Sequence, residues 1–234
     1  MPCIVKLTNN PKSPMQFTVT QDEWPDKWTK SPLIYDIIGT CRTMEKNDVK
    51  KAFNYATTTW EIDAGIKCVS GWGNPNADIK IDFKNKDNDD LFKTEPDVLA
   101  YAYFPKTSLQ GQLVFNNDYI WSFLGESVSA KDALAKGWVK QISDPNNTFK
   151  TYSIVAVMIH EFGHTLGLTH DVSGNGDGTD VMDAYYSGKD RIELSPRDIA
   201  RIRTKYGEQK YSFSNDYTRL KNAIRNAKER LKSK

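Results

Sequence analysis

His160-Glu161-Phe162-Gly163-His164-Thr165-Leu166-Gly167-Leu168-Thr169-His170 is the stretch on which the fold turns. It holds all three histidines of a 234-residue chain, with a carboxylate directly after the first. The spacing H-E-x-x-H-x-x-G-x-x-H is that of a zinc site with its own general base. On an α-helix His160 and His164, four residues apart, share one face and can reach one ion. Glu161 lies about 100° around the helix, aimed at a water beside the metal rather than at the metal. Upstream, Ser153 is placed to cap a helix that begins with the apolar run Ile154-Val155-Ala156-Val157-Met158-Ile159. Gly167 permits a left-handed residue that ends the helix and turns the chain back, so that His170 approaches the ion from outside it. Three imidazoles with an open fourth position make a catalytic rather than a structural zinc arrangement. A bare H-E-x-x-H is weak evidence, but Gly167, His170 and the clustering of every histidine make it specific.

Around this motif the chain alternates strands and helices. Ile79-Lys80-Ile81-Asp82-Phe83 alternates as a half-buried strand. Val49, Ala52, Phe53, Ala56 and Trp60 recur at helical spacing after Asn47, which reads as the cap of that helix. Ser195-Pro196 opens a last helix with proline in its first turn, and Ile199, Ile202 and Tyr206 form its apolar face before Gly207. The sum is a mixed α/β sheet domain. No run of about 18 apolar residues exists, so no membrane span is expected. Net charge is only +2, and basic residues gather only in the tail, residues 208–234. There Tyr217, Leu220, Ile224, Ala227 and Leu231 stand at three- and four-residue steps beside Arg219, Lys221, Arg225, Lys228, Arg230, Lys232 and Lys234. That is an amphipathic helix expected to pack back on the domain. No basic groove interleaved with aromatics accompanies it, so no nucleic-acid partner is expected. Cys3, Cys41 and Cys68 are compatible with one disulfide, Cys41–Cys68, or with three free thiols. The start, Met1-Pro2-Cys3-Ile4-Val5-Lys6, lacks the apolar core of a secretory signal.

Taken together these segments resemble the metzincin clan of zinc endopeptidases, and within it the matrixins. The zinc motif carries the likeness, with Leu33-Ile34-Tyr35-Asp36-Ile37, Val49 to Trp60, Ala77-Asp78-Ile79-Lys80-Ile81-Asp82-Phe83, Val98-Leu99-Ala100-Tyr101-Ala102 and Leu194-Ser195-Pro196 to Tyr206-Gly207. The resemblance implies an α+β (mixed α/β), zincin-like fold: a twisted, mostly parallel five-stranded sheet with an antiparallel edge strand, an active-site helix, and a small C-terminal subdomain. It divides the chain into an N-terminal extension (1–30), a metallopeptidase domain (31–207) and the basic helix (208–234). Met182 stands where the family's Met-turn runs beneath the zinc ligands, although Ala184 replaces the usual proline of M-x-P-x-Y and Tyr186 keeps its tyrosine. An extended substrate would pair with Leu99 and Ala100 on the edge strand, with Tyr186 beside the side-chain pocket.

The departures from the family pattern are as specific. Its second, structural zinc needs three more histidines, and Asn88, Tyr101 and Val114 stand there, with Asp90 matching the aspartate. The corresponding calcium carboxylates are replaced by Lys93, Asn116 and Tyr119, and a lysine repels a cation. One zinc is therefore expected and calcium is doubtful. Loop 84–97, with Asp87, Asn88, Asp89 and Asp90, is expected to be simply solvated. Loop 171–180 is read as a solvated insertion rather than a calcium loop, with Asp171 orienting local backbone. The family's latency motif P-R-C-G-x-P-D is not found, and Cys3 is read as an ordinary thiol rather than a zinc ligand.

The implied protein is a monomeric zinc endopeptidase acting on a protein or peptide substrate, with Glu161 as general base and acid. The family implies an extracellular location, which the sequence itself leaves unknown. A metzincin-like module that binds zinc or peptide with little or no turnover is the alternative; retention of Glu161 favours the enzyme.

Overall fold

Ile79–Lys84 is a strand whose burial alternates residue by residue, and Leu33–Ile37, buried at every position but Ile34, is a strand paired beside it. The computed structural model describes residues 3–6, 23–171, 180–186 and 191–207, together with Asn222, Asn226 and Glu229. Its elements run β1 (Cys3–Lys6), β2 (Leu33–Ile37), α1 (Lys46–Ala64), β3 (Cys68–Ser70), β4 (Ile79–Lys84), α2 (Asp90–Thr94), β5 (Val98–Ala102) and β6 (Gln112–Asn116). After these come β7 (Trp121–Ser122), β8 (Val128–Ser129), α3 (Ala130–Ala135), β9 (Thr148–Phe149), β10 (Tyr152–Ser153), α4 (Ile154–Thr165) and α5 (Pro196–Tyr206). The main sheet has the order β1-β5-β6-β4-β2-β3. Strands β3, β2, β4 and β6 are mutually parallel, and β5 is antiparallel to β6. These are the five expected strands in the expected sense. A sixth, β1, lies antiparallel on the outer side of β5, so β5 is not the edge of the sheet.

Helix α1 buries Val49, Ala52, Phe53, Ala56 and Trp60, the face read from the sequence. Its cap differs from expectation: Glu45 is the N-cap, without a side-chain hydrogen bond, and Asn47 lies inside the first turn. Asp48 in that turn, which favours the positive end of the helix dipole, takes over part of the role. α1 packs on α4, and α5 packs on α1. The core between helices and sheet is built on Trp60, Tyr35, Phe53, Phe115, Trp121 and Phe162.

Loop 84–97 is not merely solvated, although Asp87, Asn88 and Asp90 are exposed. Asp89 caps α2 by accepting from the Leu91 and Phe92 amides at 3.1 and 3.2 Å, and its second oxygen accepts from the Tyr101 hydroxyl at 2.7 Å. Phe92 is buried with Val98, Tyr101 and Val114 in a separate apolar cluster. The sequence reading missed this because the donor and the aromatic partners sit on other strands. Two of the three side chains at the family's calcium positions are likewise engaged internally. Asn116 donates to Val98 O at 2.9 Å, and Tyr119 donates to Pro96 O at 2.7 Å.

Cys41 is buried, Cys68 is half-buried, and both are free thiols. The readings of loop 172–179 and of the apolar face of the tail lie outside the described residues. Among the described residues no helix is long and apolar enough to cross a membrane.

Candidate metal centre

Ser153 caps α4 by accepting from the Ala156 amide at 3.2 Å, and every residue of the helix is buried. Two indoles hold the helix from outside its own hydrogen-bond ladder. Trp60 donates to Ile159 O at 2.8 Å, and Trp28 donates to Thr165 O at 2.7 Å. The Tyr206 hydroxyl donates to Leu166 O at 2.9 Å, so carbonyls that the helix end leaves unpaired find partners. Gly167 has φ +92°, the left-handed conformation that the sequence predicted, and a Cβ there would lie 2.7 Å from Asp26 O. Beyond it the Thr169 amide donates to Glu23 at 2.9 Å, and Arg201 donates to Thr169 O at 2.7 Å. These contacts set the segment that ends in His170.

The three imidazoles converge. His160 Nε2 lies 2.9 Å from His164 Nε2 and 3.3 Å from His170 Nε2, and one ligand atom from each ring falls within 4.8 Å of the others. His160 Nδ1 is 2.6 Å from Val181 O, and His164 Nδ1 is 2.7 Å from Leu168 O. A carbonyl only accepts, so each Nδ1 carries the proton and each Nε2 presents a lone pair. Lone pairs facing one another at 2.9 Å repel unless a cation lies among them. The donor set therefore fits a zinc ion held by His160, His164 and His170. Burial drives His160 and His164 well below the usual imidazole range. Burial and the nearby Arg201 charge bring His170 to about 4. All three rings are therefore neutral at neutral pH, as metal ligands must be.

Glu161 is fully buried, and neither carboxylate oxygen has a hydrogen-bond partner. Burial pushes its carboxyl well above the usual carboxylate range. A buried carboxylate left unsatisfied is costly, and such groups mark places where a proton is handled.

Met182 is fully buried, and a Cβ on Gly163 would overlap its sulfur, so the thioether lies against α4 between the two helical histidines. Asp198 was missed by the sequence reading. Its carboxylate accepts from Val181 N at 2.9 Å and Ser195 N at 3.0 Å, with Met182 N at 3.4 Å. It thereby fixes the turn whose Val181 carbonyl orients His160. Its capping-box partner Ser195 was legible, but the reach to Val181 was not, because those residues come from another segment. Asp171 donates its amide to Met182 O at 2.9 Å and pairs with Arg197 at 3.3 Å, in keeping with a role in local backbone.

A small pocket, partly open to solvent, adjoins the rings between Ala156, Val157 and His160 on one side and Val181, Tyr185 and Tyr186 on the other. Tyr186 is thus beside the pocket, and its hydroxyl accepts from Ser153 N at 3.3 Å. Leu99 and Ala100 lie fully buried in β5, which packs against α4. Both sides of Ala100 are paired, to Phe115 of β6 and to Val5 of β1. The open edge expected there is covered.

Three neutral histidines that could hold one metal ion, with a buried glutamate beside them on a sheet-backed helix, are the arrangement of the zincin class of proteins. Comparison with known sequences gives the family: a family model described as Matrixin matches residues 27–207, and the chain belongs to the matrixin family, whose members are zinc metalloendopeptidases. The chain is 28% identical to human stromelysin-3 over 78% of its own length and 32% of that protein. It is 30% identical to matrix metalloproteinase-C of Caenorhabditis elegans over 77% of this chain and 29% of that protein. With human matrix metalloproteinase-26 it shares 28% identity, covering 78% and 60% of the two chains. The chain thus spans about a third of the first two relatives and 60% of the third.

Proposed function

We propose that this chain is a zinc-dependent endopeptidase that hydrolyses peptide bonds in extended protein segments. The observation that carries the reading is the convergence of three histidine Nε2 atoms beside a buried, unpartnered Glu161. A zinc ion held by His160, His164 and His170 would lower the pKa of a bound water to about 7 and polarise the scissile carbonyl. Val181 O and Leu168 O keep two of the rings in the tautomer that offers Nε2. Glu161 accepts the water's proton on a carboxylate oxygen and then delivers it to the leaving amine. Its dry surroundings hold its proton affinity high enough for both transfers. The backbone of the substrate would pair along β5 at Leu99 and Ala100, and one side chain would enter the pocket beside Tyr186. All of these residues come from one chain, in keeping with a monomer, and the extracellular proteases in the family point to an extracellular substrate.

The test is cleavage of an unstructured protein with and without a zinc chelator, beside a Glu161→Ala variant. Cleavage by the parent, abolished by the chelator and lowered about 10²–10⁴-fold in the variant, is expected. Undiminished cleavage by the variant refutes the role of Glu161. A parent that holds zinc but cleaves nothing is a binding module instead.

A further inference from the structure

We propose that β1, residues Cys3–Lys6, occupies the substrate's place on β5 and holds the cleft in a self-blocked state. The geometry stands on its own; the consequence for catalysis rests on the endopeptidase reading above. Each residue of β1 has a partner on β5: Cys3 with Ala102, Ile4 with Tyr101, Val5 with Ala100 and Lys6 with Val98. The other side of β5 is taken by β6. A strand has only two edges, and with both paired no row of amides and carbonyls is left for an incoming peptide. β1 also contacts α4, the helix that carries His160, Glu161 and His164. It therefore runs along the pairing edge and also touches the ligand helix, where an extended substrate would lie. The sense is antiparallel to β5, which leaves β1 in ladder register with the strand on which a substrate is proposed to pair.

The block is built to be reversible. Only four residues pair, and a register shift between Val5 and Lys6 interrupts the ladder at its end. The competitor is nonetheless tethered. The chain returns at Glu23, whose carboxylate accepts from Thr169 N, next to the ligand His170, and pairs with Arg201. This tether gives the strand an effective concentration in the millimolar range, enough to compete with a dilute substrate. If the docked form outnumbers the undocked tenfold, the apparent KM rises about tenfold and kcat is unchanged.

The test uses the full chain with Ile4→Pro and Val5→Pro together. Of two successive residues in an antiparallel strand, one directs its amide at the partner, so the pair of prolines removes that bond whichever residue holds it. Two readouts are taken: amide hydrogen exchange at residues 98–102, and KM for an unstructured peptide. Exchange at least tenfold faster in the variant with a KM about tenfold lower, both reversed by a synthetic peptide of residues 1–8 at millimolar concentration, is expected. Unchanged exchange overturns the occupancy of β5. Faster exchange with unchanged KM in an active enzyme overturns the block. If neither protein cleaves peptide, the endopeptidase reading has failed, whereas the exchange data still decide whether β1 covers the edge.

Discussion

Gly163 stands between the two helical histidines, where any side chain would meet the sulfur of Met182 and, at 2.9 Å, Cζ2 of Trp60. Both neighbours are fully buried and cannot move aside freely. Gly163→Ala should therefore destabilise the protein by about 1–3 kcal/mol, although alanine favours helix, and thermal unfolding will measure it. An unchanged or raised Tm would refute the close packing of Met182 on this helix. Asp198 acts at the same scale but on the metal. Replacing it by alanine removes the acceptor for the Val181 and Ser195 amides and frees the carbonyl that orients His160. Zinc affinity, measured by competition with a chromophoric chelator, should fall about 10–100-fold in Asp198→Ala. The three histidines and the glutamate beside them were legible because their spacing is local. Gly163 and Asp198 were not, because what they touch lies elsewhere in the chain.

At the scale of elements, the segment from β4 to β5 is held by Asp89, Phe92 and Tyr101 at positions where the family pattern has metal ligands or their neighbours. Asp89 caps α2 and accepts from Tyr101, while Phe92 packs on the Tyr101 ring with centroids 5.4 Å apart. Tyr101→Phe should cost about 1–3 kcal/mol, since it strips a charged acceptor of a buried donor, and Phe92→Ala about 3 kcal/mol or more. Urea unfolding of both variants gives the comparison; losses under 0.5 kcal/mol in both would show that this cluster does not hold the loop. Helices α4 and α5 could be read to their caps, because Ser153 and Ser195 sit next to apolar periodicity. The start of α1 could not, since Asn47 and Glu45 are both plausible in a polar stretch and tertiary packing decides between them. β1 was unreadable for a deeper reason. Four residues, Cys-Ile-Val-Lys, carry too short a period to declare a strand, and their state depends on the partner across the ladder.

For the whole molecule, the distribution of buried side chains separates folding from metal binding. The main core runs from Leu33 and Tyr35 through Trp60 and Trp121 to Phe162 and Ile202, without relying on the ion for its packing. Removing zinc should abolish cleavage and lower Tm by several degrees, as expected when a ligand bound only by the native state is withdrawn, while the far-UV spectrum stays native. Loss of secondary structure on chelation would instead make the metal part of the fold.

The sequence alone pointed to the three clustered histidines, the glutamate beside them and the helix that carries them, because periods of 3.6 and 2 and a motif of eleven residues are local properties of a chain. The sense of the central strands came from the family resemblance. Tertiary structure alone decided that Asp198 holds the turn beneath the ligands, that Asp89 and Tyr101 join across a loop, and that residues 3–6 lie on the edge where a substrate would pair. Each of these depends on hydrogen bonds between segments far apart in the chain, and such a bond leaves no periodic trace at either end.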